Sequence, residues 1–184
     1  MIQVATRPYT RSPTYANTIE GRITALARAH SLLADAKWAG TDLATLARAE
    51  LEAFVAPSGE DGASVPQALF DGPPVTLTPA ASQGIAMTLH ELAKNASKHG
   101  ALSAPGGRVR LSWWLDHTQG LLRLRWEETG GPPVAPPSRL SFGSRLIEST
   151  ICGQLGGACR TIWAVDGIIF EAEALLSSAM TRDA

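Results

Sequence analysis

The sequence holds 184 residues, 45% of them hydrophobic, and its 17 acidic side chains nearly cancel 16 basic ones to leave a formal net charge of -1. At this size roughly 70% of the unfolded chain's surface can be buried, so one domain, with or without a short appendage, holds a core without metal or disulfide staples. The near-neutral balance excludes a general nucleic-acid binder, which needs a basic excess to neutralise phosphates, and the longest uncharged stretch, Gly72–Leu89, contains Pro73, Pro74 and Pro79 and is no membrane span.

Residues 1–13 carry Pro8 and Pro13 among scattered Arg and Thr and read as a frayed arm. They show no basic segment followed by an apolar one, so no secretory signal is expected. From about Tyr15 the pattern becomes helical, with Ile19, Ile23, Leu26, His30 and Leu33 marking one face. After Gly40 a second helix spans Asp42 to Phe54, capped by Thr41 or Asp42, either of which can accept from the orphan amides of the first turn. Residues 56–64 form a loop by composition. Short extended pieces follow at Ala68–Phe70 and Val75–Leu77. The strongest helix then starts near Pro79, with Ile85, Leu89, Leu92 and Ala96 on one stripe, and stops at Gly100.

Beyond Gly106–Gly107 the period drops to two. Val109, Leu111, Trp113 and Leu115 share one face of a strand, and Leu122, Leu124 and Trp126 share one face of its hairpin partner. Residues 129–141 are too rich in Pro and Gly for regular structure, and a loop of that length is more often functional than not. A helix from about Gly143 to Gln154 and two strands, Ala158–Val165 and Ile168–Leu175, complete the chain, the strands joined by the hairpin signal Asp166–Gly167. Helices and strands occur in runs without βαβ alternation, which indicates an α+β fold: a mixed or antiparallel sheet with helices on one face. Cys152 and Cys159 are too few for a disulfide framework. The six residues between them do not match the CxxC spacing of zinc or redox sites, and such sparse usage suits a reducing cytoplasm.

Three segments carry chemistry. In LHELAKNASKHG, Glu91, Asn95 and Lys98 at i, i+4 and i+7 project a carboxylate, an amide and an ammonium from nearly one stripe. A carboxylate can polarise a nucleophile, an amide oxygen can ligate Mg²⁺, and a lysine can neutralise phosphate; the alternative is a solvated polar face. Gly143–Ser144–Arg145 opens a helix whose unpaired amides and partial positive charge suit an anion, the alternative being loop closure. Trp126–Glu127, followed by Gly130–Gly131, brings a carboxylate off a strand end into a loop, or is a surface acid.

Together these segments resemble the ATP-binding domain of the HWE family of sensor histidine kinases, a branch of the Bergerat-fold ATPases. LHELAKNASKHGALS (89–103) is similar to the family's N box, RWEETGGPPVAPP (125–137) to its Trp-x-Glu box and nucleotide lid, FGSRLIE (142–148) to its last glycine box, and residues 22–43 to its linker between dimerisation and catalytic parts. The resemblance covers about residues 19–175. It implies a two-layer Bergerat-type sandwich preceded by a partial helical dimerisation segment: an arm at 1–14, a helical linker at 15–40, an ATP-binding domain at 41–178 and a tail at 179–184. Asn95 would hold the Mg²⁺ that bridges the phosphates of ATP. Glu91 would orient or deprotonate the attacking imidazole, and Lys98 would touch phosphate oxygens. Glu127 would accept from the adenine amino group, with Gly131 in the lid, and Gly143, Ser144 and Arg145 would hold phosphate. Phosphoryl transfer depends mostly on positioning and charge neutralisation, for which this set is adequate.

Two departures from the family's pattern stand out. Ser141 replaces a usual glycine before Phe142–Gly143, and since serine tolerates positive φ poorly, a stiffer lid and weaker nucleotide binding are expected. The family's acceptor histidine lies upstream of the segment matched by 22–43, and residues 1–21 contain no histidine, so the acceptor is expected in trans. Of the four histidines, His30 is expected to pack in the core, His90 and His99 to be structural, and His117 to sit in a turn. The leading expectation is thus the catalytic part of a bacterial, cytoplasmic two-component kinase, with a response regulator and an acceptor-histidine region as partners and possible homodimerisation through the N-terminal helix. Against it stands a non-enzymatic module that docks a response regulator or a kinase. A serine kinase acting on an anti-sigma partner is a third possibility, one to which no residue points.

Overall fold

The computed structural model describes residues 13–55, 67–137, 139, 141–164 and 167–181; of residues 13–20 and 22 it describes the backbone only. Of the expected arm at 1–14, residues 1–12 lie outside the described residues, as do the loop at 56–64, Asp166 of the hairpin turn and residues 182–184 of the tail, whereas residues 13 and 14 of that arm are helical. The helices are α1 (Pro13–Asp35), α2 (Leu43–Leu51), α3 (Pro79–His99), α4 (Phe142–Glu148) and α5 (Leu176–Ala179). A π-helical segment, Ser149–Gln154, continues α4. The strands are β1 (Thr41–Asp42), β2 (Ala68–Asp71), β3 (Thr76–Leu77), β4 (Arg108–Asp116), β5 (Leu121–Thr129), β6 (Ala158–Ala164) and β7 (Gly167–Leu175).

Five strands form one sheet in the order β2-β4-β5-β7-β6; β2 runs parallel to β4 and every other pairing is antiparallel. Alternation along the strands divides its faces. The inner face buries Val109, Leu111, Trp113, Leu122, Leu124, Trp126, Phe170 and Ala172. Register sets Trp126 between Leu111 on one side and Phe170 on the other, and its side chain is fully buried. Removing a side chain of that size from a packed core costs about 3–5 kcal/mol. The outer face is a charge ladder in which Arg125 pairs with Glu127 and Glu171, while Arg160 also reaches Glu171. This is the mixed sheet with one helix-covered face that the pattern of runs implied. Of the two-residue pair β1–β3, β3 falls within the extended piece expected at Val75–Leu77, whereas β1 and the short α5 were too brief to show in the sequence.

Helix α3 lies across the inner face. Thr78 caps it, its hydroxyl accepting from the Ala81 amide at 3.2 Å, and Pro79 opens the first turn. Twelve of its residues are buried, because α1, α2 and the sheet all pack against it. Asp42 is the cap of α2, accepting from the Thr45 amide at 2.8 Å; Thr41 is buried.

The expected apolar face of α1 needs correction. Among the described residues, the side chains it buries are Ala25, Ala29 and Leu33, whereas Ile23 is 63% exposed and His30 is exposed. Small alanines let α1 lie close to α3, and among the described side chains only Leu33 belongs to both stripes. His30 is therefore not a core residue: its Nε2 lies 3.2 Å from the Gln83 amide nitrogen, and its ring meets Trp38 edge-on at 5.5 Å. The helix ends where the Trp38 amide donates back to the Leu33 carbonyl at 2.7 Å, with Lys37 and Trp38 at φ 50° and 62°.

Candidate functional site

A cavity of about 670 Å³, a size suited to a small-molecule ligand, opens between the C-terminal half of α3, α4, β6 and β7 and the loop that follows β5. Its apolar walls include Ile147, Trp163, Ile168 and Phe170, and Pro133 and Val134 of the loop close one side. Its polar groups include Asn95 and His99 of α3, Glu128 at the end of β5, and Ser141 and Ser144 at the start of α4. The long loop thus reaches the cavity, as its composition suggested.

Glu128, and not Glu127, is the strand-end carboxylate of this cavity. It is 4% exposed; Oε2 accepts from the Ala101 amide at 2.9 Å and Oε1 from the Trp126 indole N–H at 3.0 Å. Burial pushes its carboxyl above the ordinary range, while these two donors pull it back. Two glycines make the arrangement possible. A Cβ on Gly100 would stand 2.0 Å from Glu128 Oε2, and one on Gly131 would stand 2.7 Å from the Ala101 backbone. Gly100 therefore ends α3 and also admits Glu128. Gly131 packs on Ala101 and is not part of the cavity wall.

Glu127 lies on the opposite face, paired with Arg125 at 2.9 Å and set opposite Arg110 in the β4–β5 register. The physical reason is the two-residue period of a strand, which puts residue 128 on the face of Trp126 and residue 127 on the other. The signal was present in the sequence: the Trp-x-Glu spacing, counted from Trp126, ends at Glu128.

The N-box stripe grades from buried to exposed along α3. Glu91 is 3% exposed, with Lys94 Nζ at 3.6 Å, and sits under the start of α4, where a Cβ on Gly143 would lie 2.5 Å from its Oε2. Asn95 is half-buried and faces the cavity, whereas Lys98 and Arg145 are exposed and lie outside its lining. Gly143 is buried and Ser144 lines the wall. Ser141 has φ -70° and caps α4, accepting from the Ser144 amide at 3.1 Å. The expected strain of a serine at this position is thus corrected: the backbone there is extended, and the cap occupies one of the amides expected to meet phosphate.

Behind the N box, His90 is buried at the junction of three helices. Its Nδ1 lies 3.7 Å from Glu50, which is fully buried and receives Arg28 through Nε at 3.2 Å and Nη2 at 2.9 Å; Phe54 packs edge-on against the His90 ring. Among the described residues no cluster of three or more His, Cys, Asp or Glu is arranged to hold a metal ion. Mg²⁺ with phosphates needs fewer protein ligands, and Asn95, a cavity-lining residue whose amide carries one oxygen donor, fits that demand. No helix among the described residues is long and apolar enough to cross a membrane.

A family model described as HWE histidine kinase matches residues 1–64. The blue-light-activated histidine kinase of Rhizobium johnstonii is 34% identical over 159 residues, 86% of this chain and 44% of that protein. A protein of the same description from Brucella anthropi is 32% identical over 169 residues, 91% of this chain and 32% of its own length. The chain thus spans less than half the length of these curated relatives. The solved structure of the blue-light activated histidine kinase of Erythrobacter litoralis shares the fold, with a TM-score of 0.68 at 18% identity over 89% of this chain and 50% of that one.

Proposed function

We propose that this chain, a member of the HWE histidine kinase family, is the ATP-binding catalytic part of a bacterial two-component kinase. The observation that carries this reading is the placement of Glu128 and Asn95 in one cavity with apolar walls. A purine base would lie against Trp163, Ile168 and Phe170, and its amino group would donate to Glu128. Each Glu128 oxygen accepts one hydrogen bond from the protein and keeps a lone pair for a second. Asn95 would supply the protein oxygen to Mg²⁺, which neutralises phosphate charge when bound. Ser144 and the start of α4 would face the phosphates, and Lys98 and Arg145 would swing in from solvent to meet them. Glu91 would orient the attacking imidazole. The acceptor would be a histidine beyond the four in this sequence, on a partner region, with a response regulator downstream and a cytoplasmic location. The N-terminal helix would join two copies.

One observation favours a second reading, a docking module with weak catalysis: Glu91 is closed in beneath Gly143 and beside Lys94. The two readings separate when the protein is incubated with γ-labelled ATP, Mg²⁺ and a separate helical fragment carrying the acceptor histidine of a family member. The catalytic reading expects label on the fragment's histidine and its loss in Asn95→Ala. Nucleotide binding without transfer to the fragment would leave the docking reading.

A further inference from the structure

His90 directly precedes Glu91 and is buried, yet it lies outside the cavity lining. Its ring is enclosed by two other helices. From α1, Gly21 comes so close that a Cβ there would stand 2.9 Å from His90 Nε2. From α2, Glu50 Oε2 lies 3.7 Å from Nδ1, and Phe54, just beyond that helix, meets the ring edge-on at 5.2 Å. Nδ1 has no hydrogen-bond partner among the described residues: Glu50 stands outside hydrogen-bond distance and is held instead by Arg28 of α1. A buried ring nitrogen left in this way is uncommon. The ring is therefore seated by the packing of Gly21, Glu50 and Phe54 around it, and not by a hydrogen bond of Nδ1.

We propose that His90 is a positioning residue for phosphoryl transfer: seated against Gly21 of α1 and Glu50 of α2, its ring fixes α3 at the level of Glu91 and keeps that carboxylate beneath Gly143. Neighbouring residues of an α-helix project about 100° apart. His90 thus meets α1 and α2 while Glu91 meets the start of α4, and α3 is gripped from two sides at one level. A shift of α3 here reaches Glu91 first, since Asn95 lies a further turn along the helix and Glu128 belongs to β5. Misplacing an orienting group by about 1 Å can cost about a hundredfold in rate, so a small displacement suffices. Through Gly21 the seat extends to α1, and a change in α1 alone reaches Glu91. The role rests on the proposed function, because it acts through Glu91 on the attacking imidazole.

Two substitutions disturb the seat from opposite sides. His90→Ala empties it, and Gly21→Ala drives a methyl group against the ring from α1, at a helical position where alanine is otherwise the better residue. The native protein, both variants and the double variant are assayed with γ-labelled ATP, Mg²⁺ and the fragment carrying the acceptor histidine. Affinity for a non-hydrolysable ATP analogue and the folded fraction are measured on the same samples. In each single variant kcat for transfer should fall at least about fivefold, while KM for ATP and analogue affinity stay within about twofold. In the double variant the methyl group meets no ring, so transfer should run at the rate of His90→Ala alone. If His90→Ala does not fold, Gly21→Ala decides by itself. With transfer intact in the native protein, an unchanged kcat in folded Gly21→Ala would overturn the role of His90 alone. A fall of kcat, affinity and folded fraction in step would do the same, since it marks a residue that only holds the domain together. No analogue binding by the native protein would overturn the nucleotide reading, and binding without transfer would leave the docking reading; either result overturns the role of His90 as well.

Discussion

Gly143 stands directly over Glu91, so that a Cβ at position 143 would lie 2.5 Å from Glu91 Oε2. The glycine lets the first turn of α4 rest on a carboxylate that α3 holds from below. Gly143→Ala must displace either that turn or Glu91. We expect a stability loss of about 1–3 kcal/mol, as for an overpacked core site. Histidine phosphorylation in trans should drop at least about tenfold, with analogue affinity changed less, because only the proposed orienting group is moved. Transfer assays beside urea denaturation check this, and unchanged transfer would remove Glu91 from the mechanism.

Glu127 and Glu128 are adjacent in sequence and separated by the sheet. Glu128→Gln should weaken analogue binding by about tenfold or more, since the purine amino group would meet an amide that can present its own donors. Glu127→Gln, on the half-buried outer-face ladder, should change binding and stability by no more than about 0.5 kcal/mol. Isothermal titration of both variants checks the assignment, and a larger effect at Glu127 would reverse it.

The raised pKa of Glu128 also gives a stability signature. A carboxyl whose folded pKa lies above its unfolded value binds a proton more tightly in the native state. Its contribution is fully present below the unfolded value of 4.5 and is lost as pH rises through the folded one. Glu171 titrates the opposite way: Arg160, and then Arg125, hold it below the usual range, so its contribution falls on acidification. Comparing the native protein with Glu128→Gln cancels Glu171. On lowering pH from 7 towards 4.5 the native protein should gain melting temperature relative to the variant; a constant difference would show that Glu128 does not titrate in this way.

Ser141 fits its backbone and caps α4. Ser141→Ala should cost about 1 kcal/mol, and Ser141→Gly only a few tenths, by loss of the bond to the Ser144 amide. Urea denaturation of both variants checks the order, and equal stability of Ser141→Ala and the native protein would remove the cap.

The Arg28–Glu50 pair ties α1 to α2. Glu50 is fully buried, so Arg28→Ala leaves a carboxylate without its main partner. Because Arg28 is 28% exposed, we expect about 2–3 kcal/mol, below the full buried-pair range, with partial recovery in Arg28→Ala/Glu50→Gln. Chemical denaturation with a double-mutant cycle measures it, and no recovery would show that burial of the pair is not the cause.

What was legible in the sequence follows from which signals repeat. The period of two in 109–126 placed Trp113 and Trp126 on the inner face, and Pro79 and Gly100 bracketed α3 to the residue. The stripe of α1 was misread because alanines carry little hydropathic signal, although close helix packing favours them. Glu128 was missed by one residue for want of applying the same strand period past Trp126. The buried position of Glu91 and the cap at Ser141 depend on where α4 returns to α3, a contact between segments some fifty residues apart that no local pattern encodes.

The central claim, that this cavity binds nucleotide through Glu128 and Asn95, is tested most directly by thermal unfolding during titration with a non-hydrolysable ATP analogue and Mg²⁺. A ligand at a hundred times its dissociation constant stabilises the native state by about 2.7 kcal/mol, several degrees for a domain of this size. The account predicts a saturable rise in the native protein that is largely lost in Asn95→Ala and in Glu128→Gln and retained in Glu127→Gln. No rise in the native protein, or an equal rise in all four, would contradict it.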